Sequence, residues 1–317
     1  MYGLKSNLEC DTLSKHFTIE DYGKGVARWC PGCGDHAVLT NAQRLLKEKQ
    51  LDPAKIVFVS GIGCSSRFPF YMDTYGFHGL HGRAFPVACG VKFRRPDLDV
   101  FVITGDGDCC SIGAGAWVHA IRYNMNMTVL LLNNEIYGLT KKQTSPTSRL
   151  GTVSNTTPEG SILPPINPIE TTLGVSNASF VAQTADWNPE HMYQTIKAGF
   201  EHKGFSFIHV IQRCPVFQMN LGKEMATNKD AMYLLNHKDG IQVGADVSKT
   251  FNSKIEHDPS DLNKARELAM DKSKVFMGLF YQNKKAPRYD VHGASNLEYT
   301  VEQKEDVLSK EFDKYAI

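Results

Sequence analysis

The chain has 317 residues, 42% apolar and 22% charged, with a formal net charge of +1 when histidine is neutral. That length holds one large domain or two small ones around a soluble core. So even a charge balance excludes a nucleic-acid surface or an anionic-membrane surface as the main role. No apolar run approaches the roughly 20 residues needed to span a bilayer. The N-terminal stretch lacks an apolar signal region. Eight cysteines without an export signal lead us to expect a cytoplasmic chain whose thiols are reduced ligands or core fillers.

In chain order, residues 1–28 are polar and read as a surface wrap, followed by WCPGCG at 29–34. DHAVLTNAQRLLKEKQ, 35–50, has helical spacing, with Val38, Leu39, Ala42, Leu45 and Leu46 on one face. KIVFVSGIG, 55–63, reads as a buried strand that breaks into a glycine loop. DVFVITGDG (99–107) and MTVLLLNNEIYG (127–138) repeat that form, and FSFIHVIQRCP (205–215) is a fourth strand. Helical segments at roughly 112–124 and 188–204 lie between strands. The pattern predicts an α/β fold, a mostly parallel sheet with helices on both faces. Cys64, Asp106, Asn134 and Cys214 each follow one of the four strands, so all four should meet at the carboxyl edge, where open α/β sheets bind ligands. Residues 140–175 are loop-like, and a structureless stretch of that length is more often functional than idle. From about 218 the chain turns charged and mixed. We expect residues 1–217 to carry the chemistry and 218–317 to be a C-terminal extension packed on the main domain or on a partner.

Gly105-Asp106-Gly107 is either a plain turn or a phosphate loop. The dinucleotide fingerprint G-x-G-x-x-G fails here, because position 110 is Cys, and it fails at GIGCSS, 61–66. An aspartate in that place repels a pyrophosphate unless a divalent cation lies between them. Mg²⁺ takes hard oxygen ligands in an octahedron. Asp106, the side-chain oxygen of Asn134 and the carbonyl of Ile136 can provide three, two diphosphate oxygens and a water the rest. GAGA at 113–116 opens a helix and lets backbone approach the phosphates. GDG with Asn after the next strand resembles the signature of thiamine-diphosphate enzymes.

WCPGCG has three readings. A thioredoxin-type dithiol at Cys30 and Cys33 needs an apolar strand upstream, and GKGVAR is a poor one. Structural zinc usually takes two close cysteine pairs, whereas Cys64 and Cys214 stand alone. A cubane cluster tolerates dispersed ligands, and Cys214-Pro215 matches the Cys-Pro that ends ferredoxin ligand runs. Cys89, Cys109 and Cys110 read as small buried hydrophobes; Cys10 is left open.

WCPGCGD, GIGCSSR, HGRAFPVACGVK, GDGD, NNEIYGLT, KKQTSPTS and QRCP, in this order and spacing over residues 25–217, resemble the β subunits of 2-oxoacid:ferredoxin oxidoreductases. TTPEGSILPPINPIE with GFSFIHVIQRCP is most similar to the 2-oxoglutarate branch. GLFYQNKKAPRYD resembles the family's closing segment. The resemblance implies a 4Fe–4S cluster on Cys30, Cys33, Cys64 and Cys214, and Mg²⁺ on Asp106, Asn134 and Ile136. It implies thiamine diphosphate against Gly63, Cys64, Ser65, His81, Gly105, Asp106, Gly107, Asp108, Asn134, Ile136, Gly138, Leu139 and Thr140. It also implies oxidative decarboxylation of a 2-oxoacid with coenzyme A as co-substrate and ferredoxin as acceptor, or the reverse carboxylation. An α subunit, in an αβ or α2β2 assembly, would bring the activating glutamate and the coenzyme A site.

Arg67 is the candidate for the distal carboxylate of 2-oxoglutarate, since a guanidinium binds carboxylate bidentately; the family often has lysine there. The plainer reading is an ion pair with a local acid. His81 is a candidate donor to a developing alkoxide or a hydrogen-bonded core histidine. Arg83 is a further candidate, and Tyr137 reads as packing. The rivals are a pyruvate or branched-chain 2-oxoacid enzyme, a thiamine decarboxylase subunit without a cluster, a thiol-disulfide oxidoreductase using Cys30 and Cys33, and a non-catalytic electron-transfer subunit.

Overall fold

Apolar runs without polar alternation make strands that are covered on both faces. IVFVS forms β1 (Ile56–Ser60) and MTVLLLN forms β4 (Met127–Asn133), each buried along its whole length. β3 (Asp99–Gly105) and β8 (Phe205–Ile211) follow the same rule. The computed structural model describes residues 16–219, 231–238, 240–251, 253–294 and 300–315. Cys10, most of the expected N-terminal wrap and part of the tail lie outside the described residues.

The four strands stand side by side, all parallel, in the order β1-β3-β4-β8. β2 (Tyr75–His78) adds to β1 and β7 (Phe180–Ala185) adds to β8, again in parallel. β11 (Val275–Gln282) then pairs antiparallel with β7. β9 (Met232–Asn236) and β10 (Ser253–Glu256) run parallel to β11. The nine strands form one sheet, β10-β9-β11-β7-β8-β4-β3-β1-β2. Three strands from beyond residue 218 thus continue the same sheet.

Side chains alternate across a strand, and both faces are used. Phe58 and Phe101 face a layer built of Val38 and Leu45 from α1 (Asp35–Glu48) and Tyr193 and Ile196 from α5 (Pro189–Glu201). Val57, Val102 and Val129 face Phe85 from α2 (Ala84–Arg94) and Trp117 from α3 (Ala114–Tyr123). The helices expected at 35–50, 112–124 and 188–204 are α1, α3 and α5. α1 stops early because Gln50 takes a left-handed φ of +52°. α5 starts where Asn188 caps the His191 amide and Pro189 fills the first turn. α2 was not expected. Its Pro86 lies in the first turn, where a missing N–H costs no helical hydrogen bond. Residues 140–175 are mostly irregular. They hold β6 (Gln143–Thr144), which pairs antiparallel with β5 (Ile136–Tyr137), and the short helix α4 (Pro168–Gly174). Among the described residues, no helix is long and apolar enough to cross a membrane.

Candidate active site

The loops after β1, β3, β4 and β8 converge on a cleft of about 560 Å³ at the carboxyl edge. Gly63, Cys64 and Ser65 come from the first loop, and Gly105, Asp106, Gly107 and Asp108 from the second. Asn134, Ile136, Gly138, Leu139 and Thr140 come from the third, and His81 from the loop beyond β2. Every residue expected to touch the cofactor lines this one cleft. Ile62, Leu132, Tyr137 and Gln212 line it too, and sequence reasoning had not placed them there. Gln212 had a signal: it is a polar residue at the end of an apolar strand, two before Cys214.

Asp106 is 3% exposed. Burial pushes its carboxyl up from the ordinary value, and among the described residues no cationic side chain pairs with it. The Thr147 hydroxyl lies 2.7 Å from one carboxylate oxygen. A buried carboxylate without a cation fits a divalent ion with hard oxygen ligands. Asn134 Oδ1 accepts the Ile136 N–H at 3.2 Å, so both belong to one tight turn. Glu135 between them takes φ +60°, a conformation costly for a non-glycine residue and frequent at functional sites. The adjacent asparagines divide their work. Asn134 lines the cleft. Asn133 is buried, and its side-chain oxygen accepts the Glu135 N–H at 3.0 Å.

Asp108 serves the scaffold of the cleft. Its carboxylate accepts the N–H groups of Ile62 and Gly82, at 3.0 and 2.7 Å, and the Thr104 hydroxyl at 2.8 Å. One buried side chain thereby ties together the loops after β1, β2 and β3. Gly107 is required by close approach: a Cβ there would run into the Tyr137 ring, whose hydroxyl donates to the Gly107 carbonyl at 2.9 Å. Tyr137 therefore packs on the GDG turn and also walls the cleft.

His81 is partly exposed, with Nε2 3.6 Å from Asp108 and its ring edge-on to Tyr137. Arg67 does not line the cleft. It sits on a short helical turn, Ser65–Tyr71, with its guanidinium 5.9 Å from the Tyr71 ring centre, and its charge is felt at Cys64. Arg83 is exposed at the start of α2.

Cys30 and Cys33 share a turn closed by Cys33 N–H to Cys30 carbonyl at 3.0 Å. Gly34 N–H donates to the Arg213 carbonyl at 3.2 Å, which holds this turn against the segment carrying Cys214. Gln212 Nε2 donates to Cys33 Sγ at 3.2 Å, and the Phe217 amide to Cys214 Sγ at 3.5 Å. Trp29 Nε1 donates to the Cys64 carbonyl at 2.6 Å. Electrostatic interactions run from Cys30 and Cys214 to Cys64, and from Cys64 to Cys33. The four thiols are thus one neighbourhood. It abuts the cleft, because a Cβ on Gly138 would sit 3.6 Å from Cys64 Sγ. Among the described residues, no three His, Cys, Asp or Glu side chains are close enough to grip a single ion. A cubane spreads its thiolates over four corners rather than around one ion. A redox-active dithiol depends on a depressed thiol pKa. Burial, reinforced by Asp35, pushes Cys33 the other way, and burial takes Cys64 to about 12. Cys109 and Cys110 are buried, and half-buried Cys89 packs against the same apolar layer.

Residues 61–210 match the family described as thiamine pyrophosphate enzyme, C-terminal TPP binding domain. Residues 248–295 match the family described as the C-terminal part of the pyruvate ferredoxin oxidoreductase beta subunit. The chain is 46% identical to 2-oxoglutarate oxidoreductase subunit KorB of Mycobacterium tuberculosis over 222 residues, 69% of this chain and 59% of that protein. It is 37% identical to the 2-oxoacid:ferredoxin oxidoreductase subunit beta of a Sulfolobus species over 283 residues, 86% of this chain and 88% of that one. A solved 2-oxoglutarate:ferredoxin oxidoreductase from Magnetococcus marinus, with 2-oxoglutarate, coenzyme A and succinyl-CoA bound, superposes with a TM-score of 0.80 at 36% identity, over 93% of this chain and 96% of that chain.

Proposed function

The chain belongs to the β-subunit family of 2-oxoacid:ferredoxin oxidoreductases, and on that premise we propose that it is the thiamine-diphosphate subunit of an enzyme acting on 2-oxoglutarate. The reaction takes 2-oxoglutarate, coenzyme A and two oxidised ferredoxins to succinyl-CoA, CO₂, two reduced ferredoxins and the proton of the thiol, and is reversible. The observation that carries this reading is the buried Asp106 carboxylate, paired with no cationic side chain among the described residues, facing the same cleft as Asn134 and Ile136, with Cys64 of the four-cysteine neighbourhood in its lining.

Asp106, Asn134 and the Ile136 carbonyl would hold Mg²⁺, and Cys30, Cys33, Cys64 and Cys214 would hold one 4Fe–4S cluster. Thiamine diphosphate, when bound, supplies an electron sink for the pair left behind as CO₂ departs, and the cluster a path for single electrons. The chain's own part is placement. Gly105 and Gly107 let backbone come close to the diphosphate, while Tyr137 and Leu139 wall off water. His81, with its ring at the cleft, donates to the substrate's carbonyl oxygen. Arg67, beside Cys64, receives the distal carboxylate at a mouth completed by the α subunit. That partner brings the activating glutamate and the coenzyme A site, in an αβ or α2β2 assembly.

The test is the assembled enzyme, with ferredoxin reduction followed on 2-oxoglutarate and on pyruvate. We expect 2-oxoglutarate to be preferred. Losing a charge-assisted pair in Arg67→Leu should lower its kcat/KM about 30- to 150-fold, the equivalent of roughly 2–3 kcal/mol, while pyruvate turnover barely moves. An equal loss on both substrates makes Arg67 structural. A preference for pyruvate or a branched-chain acid in the wild type replaces the substrate. An iron-replete complex that reduces no ferredoxin on any 2-oxoacid sinks the reading.

A further inference from the structure

A line of polar groups crosses the apolar sheet just behind the cleft, one residue to each strand. The Phe276 carbonyl on β11 accepts from Gln183 Nε2 on β7 at 2.8 Å. Gln183 Oε1 lies 2.6 Å from His209 Nδ1 on β8, and His209 Nε2 lies 3.0 Å from Asn133 Nδ2 on β4. Asn133 Oδ1 is 2.9 Å from the Thr147 hydroxyl, which reaches Asp106 after β3. The five side chains are all buried, from 3% exposed at Asp106 to 8% at Gln183.

The donors and acceptors fit together in one sense. Gln183 must turn its NH₂ to the Phe276 carbonyl, because two oxygens would repel. Its oxygen then faces His209 and calls for a proton on Nδ1. A neutral ring protonated there has a bare Nε2, which accepts from the Asn133 NH₂. That leaves the Asn133 oxygen for the Glu135 N–H and the Thr147 hydroxyl. The single hydroxyl proton serves Asn133 or Asp106, one at a time. Burial holds the His209 ring neutral, its pKa down to about 3, and the bonds to Gln183 and Asn133 select the tautomer. In so dry a setting, each misdirected amide leaves a buried group unpaired, and the members lock one another.

We propose that His209 is a positioning residue: acting through Asn133, it fixes Thr147 and the turn after β4 so that Asp106 and Asn134 present their oxygens to a divalent cation carrying a diphosphate. This rests on the function proposed above and adds the group that sets the geometry of its cation site. His209 touches neither cation nor diphosphate.

Two substitutions each keep one side of the ring's bonding. His209→Asn retains an amide donor where Nδ1 stands, keeping Gln183 and losing Asn133. His209→Gln retains an oxygen where Nε2 stands, keeping Asn133 and losing Gln183. In the assembled enzyme, thiamine diphosphate affinity is measured at fixed Mg²⁺, with Tm recorded alongside. Both variants should lose Tm to a similar extent, since each orphans one buried amide. Only His209→Asn should bind the cofactor about tenfold more weakly, the value of one hydrogen bond of ~1.4 kcal/mol. His209→Gln should stay within about threefold of wild type on the same scale. Equal affinities in the two variants, whether both normal or both weak, overturn the inference. If neither assembles, Thr147→Val carries the test: it should also weaken binding about tenfold, and unchanged affinity overturns the inference. A wild-type complex that binds no thiamine diphosphate removes the functional reading and this inference with it. A binding wild type with variants that do not differ removes this inference alone.

Discussion

The sheet contains two parallel blocks that point in opposite directions. β2, β1, β3, β4, β8 and β7 form one, β11, β9 and β10 the other, and they meet at the antiparallel pair β7–β11. In the first block the carboxyl ends carry glycines, a buried aspartate, paired asparagines and cysteines, and they enclose a cleft. In the second the carboxyl ends open at the opposite edge of the sheet. There, exposed Lys238, Glu256, Lys284 and Lys285 border a crevice of about 1,370 Å³ open to solvent. The lesson is that strand direction decides which residues can take part in the chemistry. Among the described residues, none that follows β9, β10 or β11 lines the cleft. The second block acts on the first through burial and the β7–β11 backbone ladder, and the Phe276 carbonyl also accepts the Gln183 side chain.

The comparison breaks most directly at Asp106. Asp106→Ala removes a buried carboxylate from the first block and, on the proposed reading, would leave the diphosphate with no anchored cation. Truncating one member of a buried charge pair costs about 2–5 kcal/mol, so thiamine diphosphate affinity should fall about 30-fold or more on that scale. Iron per chain should be unchanged, because the cysteines sit on other loops. Cofactor that stays with the variant through gel filtration would show that the cation is held elsewhere.

Side chains of the second block should answer to packing. Met277 is 1% exposed and lies among Ala185, Ile211, Met232, Leu234 and Phe251, the cluster that joins the two blocks. Met277→Ala should lower unfolding stability by roughly 2–5 kcal/mol, the usual cost of emptying a core site, and leave the cofactor affinity of the folded protein as it was. A variant that folds with normal stability but binds thiamine diphosphate poorly would give the second block a direct part in the site.

The same contrast explains what could be read from the sequence. IVFVS, DVFVITG, MTVLLLN and FSFIHVI are mostly apolar runs that reach glycine, asparagine or cysteine at or just beyond their ends, so strand and site announced themselves together. Apart from His81, which follows the exposed β2, each residue expected at the cleft closes such a run or comes soon after it, which is why the group was legible. Thr147 was not, because it reaches Asp106 only after residues 140–175 fold back, a tertiary event without local periodicity. Arg67 was placed at the crevice by adjacency to Cys64; the helical turn Ser65–Tyr71 sets it outside the cleft lining, 5.9 Å from the Tyr71 ring centre, and only a mouth shared with another chain would bring a substrate to it. β2, all exposed, and β10, half exposed, lack an apolar run. α2 was hidden by Pro86 and Gly90, which look like breakers until the first turn is located. The charged, mixed region past 218 read as an extension because its strands are short and interleaved with polar residues.

The smallest effect is expected at the seam itself, and only in acid. His191 on α5 is fully buried, with Nδ1 2.8 Å from the Thr184 hydroxyl on β7 and its ring 5.7 Å from that of Phe251. Burial lowers its pKa to about 4. The folded chain therefore binds fewer protons than the unfolded chain, whose histidine titrates near the ordinary value of about 6.5. The neutral ring's contribution is complete above that value and is lost as pH falls toward 4, at a total cost of about 3 kcal/mol. His202 and His209 are depressed in the same sense, while Asp35, raised to about 7 by burial, acts in the opposite one. Comparing wild type with His191→Gln cancels those shared contributions. Between pH 7 and 4.5, wild type should lose about 2–3 kcal/mol more stability than the variant, read from urea midpoints at the two pH values. A difference between the two proteins that stays constant across that window would mean that acid protonates His191 without opening the seam between the blocks.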